Sequence, residues 1–208
     1  GPGARTISCT GKATITNMGA ELGATTSIFP YDERMAVYLR GTGRAALAEL
    51  ASRHPNLVIA DPDVEQQPEK YFDRIVDIDL SKLEPHIVGP HTPDLARPVS
   101  QLAAAVAASN YPDRISVALV GSCTNSSYED ISRAADVAAQ ARARGARMKV
   151  PFLVTPGSEQ IRSTIERDGQ MGVLEAIGAK VMANACGPCI GQWKRDEVRQ
   201  GEPNTIVT

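Results

Sequence analysis

Three cysteines are the side chains of this 208-residue chain best suited to chemistry. Cys123 lies in the segment Gly-Ser-Cys-Thr-Asn-Ser at residues 121–126, and Cys186 and Cys189 lie in Ala-Cys-Gly-Pro-Cys-Ile-Gly at residues 185–191. Their small Gly, Ser and Asn neighbours are typical of thiolates that are chemically used. Thiolates are soft ligands that favour iron–sulfur clusters or zinc.

Each cysteine segment follows an apolar run that predicts a buried strand. Because the carboxyl ends of parallel strands meet at one edge of a sheet, Cys123 is expected to approach Cys186 and Cys189 there. Backbone N–H groups and the Asn125 amide would then donate hydrogen bonds to the sulfurs. Three thiolates leave one metal corner without a protein ligand, and such an open corner suits a Lewis acid that binds a substrate oxygen.

Other interpretations of these cysteines stay open at this point. Cys-Gly-Pro-Cys is also the dithiol of thioredoxin-like oxidoreductases, although such proteins carry it early in a small domain, after an aromatic residue. Here Ala185 precedes the motif, and Cys123 has no role in that chemistry. A structural zinc site usually needs a fourth Cys or His. Inert buried thiols are the remaining alternative.

Composition narrows the class of protein. The 22 basic and 24 acidic residues give a formal net charge of −2, so nothing attracts the chain to nucleic acid or to an anionic membrane. Aromatic residues make up 4%, which does not favour a base-stacking surface. The apolar runs are far shorter than the roughly 20 residues that span a bilayer. A chain of this length forms a core without disulfides, so reduced thiols of an intracellular protein are expected.

Hydrophobic periodicity predicts two differently organised halves. In the first we expect helices over residues 13–23, from 32 to about 40 and over 45–53, strands at 27–29 and 74–80, and a loop at 54–70. After a Pro-rich connection at 85–98 we expect helices over 102–108, 128–144, 158–167 and 173–177, and strands at 115–120, 150–154 and 180–183. Strands that alternate with helices predict an α/β fold with mostly parallel sheets.

Taken together, the motifs resemble those of the aconitase family of iron–sulfur dehydratases, in the branch typified by the mitochondrial enzyme. The likeness extends over essentially the whole chain. The segments that carry it are Gly-Ser-Cys-Thr-Asn-Ser-Ser-Tyr-Glu-Asp at 121–130, Ala-Cys-Gly-Pro-Cys-Ile-Gly-Gln-Trp at 185–193, Asn-Met-Gly-Ala-Glu-Leu-Gly-Ala-Thr-Thr-Ser at 17–27, Pro-His at 85–86 and Gly-Pro-His-Thr-Pro-Asp at 89–94.

This resemblance implies three-layer α/β domains with the cluster loops at the carboxyl ends of strands. It also implies a 4Fe-4S cluster held by Cys123, Cys186 and Cys189, with Asn125 beside it. The open iron would act as the Lewis acid in the isomerisation of citrate and isocitrate through cis-aconitate. The implied partners are a small tricarboxylate substrate and the remaining domains of the enzyme, without a membrane or nucleic acid.

The resemblance further implies that Asn17 and Glu21 line the site. Their spacing of four residues places amide and carboxylate on one face of a helix. Glu21 would hydrogen-bond a water or hydroxide at the iron, and Asn17 would orient the substrate or cluster groups. The alternative from the residues alone is that Glu21 is a solvated helix charge.

The resemblance predicts that residues 1–78 form the latter part of the second domain and residues 79–208 most of the third. The chain begins Gly-Pro-Gly without Met or a signal peptide, so we expect a fragment, a processed chain or a trimmed one, inactive by itself. We expect a cytoplasmic location if the source is bacterial, which the Ala and Arg content favours, and the mitochondrial matrix if it is eukaryotic. Alternatives are a sister isomerase (homoaconitase or isopropylmalate isomerase), an RNA-binding iron sensor and a thiol oxidoreductase.

Overall fold

The structure, a computed structural model, describes residues 1–92 and 94–208. Pro93, which belongs to the Gly-Pro-His-Thr-Pro-Asp motif, lies outside the described residues. The chain divides into two compact units, Gly1–Glu84 and Pro85–Thr208. No helix of the described residues is long and apolar enough to cross a bilayer.

The first unit is helical. Its α1 begins four residues before the predicted helix, because the Ser8 hydroxyl caps it by accepting a hydrogen bond from the N–H of Gly11. The predicted helix over residues 45–53 is confirmed. The helices are α1 (Cys9–Glu21), α2 (Glu33–Gly41), α3 (Ala45–Arg53) and α4 (Pro62–Gln66), with 3₁₀ turns at Pro2–Thr6, Pro55–Leu57 and Pro68–Lys70.

Three predictions for this unit are wrong. Residues 27–29 and 74–80 form no strand, because neither segment is paired with a neighbouring strand that would complete its hydrogen bonds. The alternation in 74–80 also buries no face, since Ile75 and Ile78 are both exposed. The predicted loop at 54–70 contains α4, which Pro62 starts at a position where its missing N–H costs nothing.

An ion pair between Lys12 and Asp32 joins α1 to the start of α2. Lys12 is 2% exposed, and its ammonium group donates to the Asp32 carboxylate. That carboxylate also caps α2 by accepting from the N–H of Met35 at 3.2 Å. Burial by itself would raise the pKa of Asp32, but the hydrogen bonds from Lys12 and Met35 outweigh it and hold the pKa below its ordinary value.

The second unit contains the strands. Its sheet predictions are confirmed for three strands, each within two residues at either end. The predicted connection at 85–98 holds an antiparallel pair, and the last strand was not predicted. The strands are β1 (His86–Val88), β2 (Ala96–Pro98), β3 (Ile115–Gly121), β4 (Phe152–Thr155), β5 (Ala179–Val181) and β6 (Thr205–Val207). The helices are α5 (Leu102–Ser109), α6 (Tyr128–Ala143), α7 (Glu159–Arg167) and α8 (Gln170–Ile177), with 3₁₀ turns at Val99–Gln101 and Pro188–Ile190.

The main sheet has four parallel strands in the order β5-β4-β3-β6. Helix α6 returns the chain from β3 to β4, and α7 and α8 return it from β4 to β5. A capping box of Ser127 and Asp130 starts α6, where each side chain accepts from the other residue's N–H. The expected α/β class with a parallel sheet is therefore confirmed.

Two apolar clusters cover the two faces of this sheet. On one face, Val154 packs with side chains of the helices, among them Ile131 of α6 and Leu174 of α8. The other face carries Val117, Leu119 and Leu153, on which residues of the segment after β5 pack. Because side chains alternate along a strand, neighbours such as Leu153 and Val154 belong to opposite clusters.

Strand β3 ends at a glycine that no other residue can replace without strain. Gly121 has a φ of +106°, a conformation that L side chains rarely adopt. A Cβ atom added there would lie 2.1 Å from the carbonyl oxygen of Thr155, its register partner on β4. The turn toward Cys123 therefore depends on the absence of a side chain at Gly121.

Replacement of Asp32 by Asn should destabilise the protein by about 3–5 kcal/mol, because it leaves the buried Lys12 ammonium without a counter-charge. Asn remains a good N-cap, so the cap is preserved. The Lys12→Met/Asp32→Asn double variant should recover most of that loss. Urea unfolding measures the free energy of unfolding of both variants. Equal stability of Asp32→Asn and wild type would show that the ion pair between Lys12 and Asp32 does not stabilise the protein.

The same pair predicts a pH dependence. A carboxyl whose pKa is lowered by folding stabilises the protein fully above its unfolded pKa of about 3.9. That contribution is lost as the pH falls below this value and through the lower folded pKa. Urea unfolding between pH 6 and pH 2.5 (roughly the range around these pKa values) should show this component in wild type and not in Asp32→Asn.

Gly121→Ala should cost about 3 kcal/mol, since it combines backbone strain with a clash against a strand carbonyl. Gly145→Ala is the matched control, because Gly145 also has a positive φ of +76° but open space around its Cα. It should cost about 1 kcal/mol. If urea unfolding gave equal losses of unfolding free energy for the two variants, the close contact with Thr155 would contribute nothing to the cost of Gly121→Ala.

Candidate functional site

The two cysteine loops leave the main sheet at the same edge. Cys123 follows the end of β3 by two residues, and Cys186 and Cys189 follow the end of β5. Strand β4 lies between these two parallel strands, so their carboxyl ends are separated by two strand spacings, roughly 10 Å. The topology therefore starts both loops on one rim, within the reach of short segments.

A buried serine closes the first loop. Ser126 is 0% exposed, and its hydroxyl both accepts from the N–H of Ser122 and donates to the Ser122 carbonyl. Its own carbonyl accepts from the N–H of Gly157, just after β4, at 3.2 Å. Cys123 and Asn125, both exposed, are thus presented by a loop whose two ends are tied together and to the neighbouring strand end.

The second loop turns tightly around its cysteines. The Cys189 thiol donates to the carbonyl of Cys186 at 3.1 Å, within the 3₁₀ turn Pro188–Ile190 and the residues before it. Cys186 is exposed, whereas Cys189 is half-buried against the face that carries Val117, Leu119 and Leu153. Cys189 is thereby anchored by the sheet, whereas Cys186 lies at the surface.

The donor set fits an iron–sulfur cluster. None of these cysteines forms a disulfide, and each is at least partly accessible. Among the described residues, no three His, Cys, Asp or Glu side chains are grouped as ligands of a single metal ion. The thiolates of a cubane bind different iron atoms, so they need not converge on one point. Three thiols carried by loops that start at one edge of the sheet are compatible with such a cluster, with one iron left for another ligand.

Asn17 and Glu21 belong to the first unit, in the last turns of α1. Asn17 is half-buried, and Glu21 is exposed as the final residue of the helix. They lie one helical turn apart on the same face, as the spacing predicts. The three cysteines therefore belong to the second unit, whereas this amide–carboxylate pair belongs to the first.

Thr155 is a polar residue of this rim that the sequence analysis did not single out. It ends β4, is 2% exposed, and its Oγ1 is buried without a hydrogen-bond partner among the described residues. The sequence feature that could have identified it is the single Thr at the end of the apolar run 152–154, directly before Pro-Gly. That position corresponds to Gly121 on β3, with which Thr155 is paired.

Comparison with known proteins covers the whole chain. The model of the aconitase family (aconitate hydratase) matches residues 1–208. The chain is 54% identical to a probable mitochondrial aconitate hydratase of Dictyostelium discoideum and 53% identical to the mitochondrial aconitate hydratase of Schizosaccharomyces pombe, each over 208 residues. It is 52% identical to a mitochondrial homocitrate dehydratase of Saccharomyces cerevisiae over 213 residues.

In each of these comparisons the whole chain is aligned but only 26% of the relative, so the chain spans about a quarter of their length. The solved structure of Thermococcus kodakaraensis aconitase X gives a TM-score of 0.32 at 22% identity, over 43% of this chain and 22% of that one, which is too low to bear on the fold. The family match and the identities along all 208 residues agree with the motifs and with the start of both cysteine loops at one edge of the main sheet. The chain belongs to the aconitase family.

Proposed function

We propose that this chain is the cluster-binding part of an iron–sulfur hydro-lyase that isomerises citrate and isocitrate through cis-aconitate. The observation that carries the proposal is the common rim of the parallel sheet, from which the loops of Cys123 and of Cys186 and Cys189 both start. The names of the relatives, aconitate hydratases, support the reaction.

In this proposal Cys123, Cys186 and Cys189 hold a 4Fe-4S cluster. When bound, the cluster supplies an iron with an open coordination position, which acts as a Lewis acid toward a substrate oxygen. The chain itself would contribute hydrogen-bond donors. These are the amide of the exposed Asn125 and the backbone N–H groups of the Gly- and Ser-rich loops, which would stabilise negative charge on sulfur.

Asn17 and Glu21 are proposed to act on the substrate side. The Glu21 carboxylate is exposed at the end of α1, so an oxygen of it is free to hold or accept a proton. The Asn17 amide, one turn earlier, both donates and accepts and would orient a carboxylate or hydroxyl group. An amide and a carboxylate held on one helix face suit the orientation of a hydroxyl group or a water molecule beside the substrate.

The chain is proposed to act with further domains. Residues 1–78 would form the latter part of the second domain of the enzyme and residues 79–208 most of the third. Since the chain spans about a quarter of its relatives, the rest of the substrate site would come from outside it, and we expect the chain alone to be inactive. The relatives' names place those enzymes in mitochondria, which supports the matrix for a eukaryotic source; the cytoplasm applies to a bacterial one.

A sister isomerase is the second candidate function. Identity to the homocitrate dehydratase, 52%, is close to the 53–54% identity to the aconitate hydratases. The two substrates differ by one methylene in a carboxylate arm, and such a difference changes specificity through the residues around that arm. Comparison of kcat/KM for citrate and homocitrate in the complete protein decides between these enzymes.

Anaerobic reconstitution with iron and sulfide should load the complete protein with a cluster, seen as broad absorbance at about 400 nm and about four iron atoms per chain. Cys123→Ser should lose most of both, because one iron loses its ligand. Cys9→Ser is the matched control, since Cys9 is a free cysteine of the first unit, and it should load like wild type. Equal loading of Cys123→Ser and wild type would overturn the ligand assignment.

Glu21→Gln should lower kcat of the complete protein by about 10²–10⁴-fold while the iron content stays at the wild-type level, because it removes a proton-accepting group without touching a cluster ligand. Glu49→Gln, a change at an exposed carboxylate of α3, is the control and should leave kcat unchanged. A kcat of Glu21→Gln within twofold of wild type would show that Glu21 is only a solvated helix charge.

A further inference from the structure

Thr155 carries a buried hydroxyl that makes no hydrogen bond to the described residues. The residue is 2% exposed, and Oγ1 has no hydrogen-bond partner among the described residues. Buried hydroxyls are nearly always paired, because an unpaired one loses its hydration without compensation. By contrast, the buried hydroxyl of Ser126 on the adjacent loop both donates and accepts. Thr155 therefore needs a partner that the described residues do not supply.

The backbone of Thr155 lies between the origins of both cysteine loops. On one side it is in register with Gly121, two residues before Cys123. On the other side the N–H of Met182 donates to the carbonyl of Val154 at 2.8 Å, which extends the pairing of β4 toward the segment that leads to Cys186. Strand β4 thus ends between the two strands from which the cysteine loops start.

The side chain also belongs to the face of the sheet on which a cysteine packs. Thr155 follows Leu153 by two residues, so the two side chains are on the same face. Leu153 belongs to the cluster with Val117 and Leu119, and Cys189 packs against that cluster. The opposite face, which includes Val154, is covered by apolar side chains of the helices. A hydrogen-bond partner for Oγ1 is thus expected on the face of the sheet against which Cys189 packs.

We propose that the Thr155 hydroxyl donates a hydrogen bond to a sulfur anion at this rim, either a cysteine thiolate or an inorganic sulfide of the bound cluster. The inference rests on the proposed cluster site and adds a positioning residue to it. A hydroxyl is a donor that a thiolate or sulfide can accept, and the apolar surroundings strengthen such a bond. Hydrogen bonds to sulfur stabilise the more negative, reduced form of a cluster and raise its reduction potential.

The test compares Thr155→Val, which keeps the shape and removes the hydroxyl, with Thr155→Ser, which keeps the hydroxyl. Both are made in the complete, reconstituted protein. Thr155→Val should bind wild-type amounts of iron, but its cluster should have a more negative midpoint potential in an EPR-monitored titration. Its half-life in air, followed by absorbance, should fall by about threefold or more, since a lost sulfur hydrogen bond weakens the site. Thr155→Ser should restore both values.

The thermal stability of the apo protein distinguishes the proposed role of the hydroxyl from a purely structural role. Because Oγ1 has no partner among the residues that the structure describes, Thr155→Val should unfold at the same temperature as wild-type apo protein or at a higher one. Thr164→Val is the matched control. Its hydroxyl donates to the carbonyl of Gln160 at 2.7 Å within α7, and its loss should leave the cluster potential unchanged.

Two results would overturn the inference. One is a Thr155→Val cluster with the wild-type potential and lifetime. The other is apo protein that Thr155→Val and Thr155→Ala both destabilise or unfold while Thr155→Ser does not, which would give the hydroxyl a partner within the chain. Failure of the wild-type protein to assemble a cluster would instead overturn the proposed function, so the two failures are distinguishable.

Discussion

The parallel pairing of β4 with β3 on one side and with β5 on the other is the constraint on which the rest of the second unit depends. Parallel strands point the same way, so the segments that follow β3 and β5 must start at one rim. Antiparallel pairing of either strand would send one cysteine loop to the opposite edge of the sheet. The chemistry of the thiols therefore rests on backbone hydrogen bonds between strands of three to seven residues.

Close packing at this rim leaves little freedom in the loop of Cys123. Gly121 approaches the Thr155 carbonyl, and a Cβ added at Gly157 would lie 3.0 Å from the carbonyl of Ser126. Ser126 in turn binds both polar backbone groups of Ser122. Small residues are thus required where backbones touch, and a rigid loop is the result. A rigid loop favours ligand binding, because less conformational entropy is lost when the thiolate is fixed.

Much of this architecture was predictable from local signals, and the errors about strands share one cause. Helix α6 was predicted within one residue because its acidic start and basic end are signals that lie within the helix. The strand predicted at 74–80 is wrong and β6 was missed, because a strand exists only where another strand pairs with it. Thr155 was missed for the same reason, since its significance comes from its neighbours on β3 and β5, which are distant in sequence.

The separation of the candidate residues between two units bears on specificity. Under the proposed function, thiol ligation and sulfur hydrogen bonding would depend on the second unit, and these requirements would be the same for any hydroxy acid that loses water at an open iron. Asn17 and Glu21 belong to the first unit and would contact the groups that such substrates share. The chain is almost equally identical to aconitate hydratases and to a homocitrate dehydratase. Under the proposed function, this part of the enzyme therefore carries the common dehydration chemistry, and the distal arm of the substrate is distinguished by residues elsewhere in the protein.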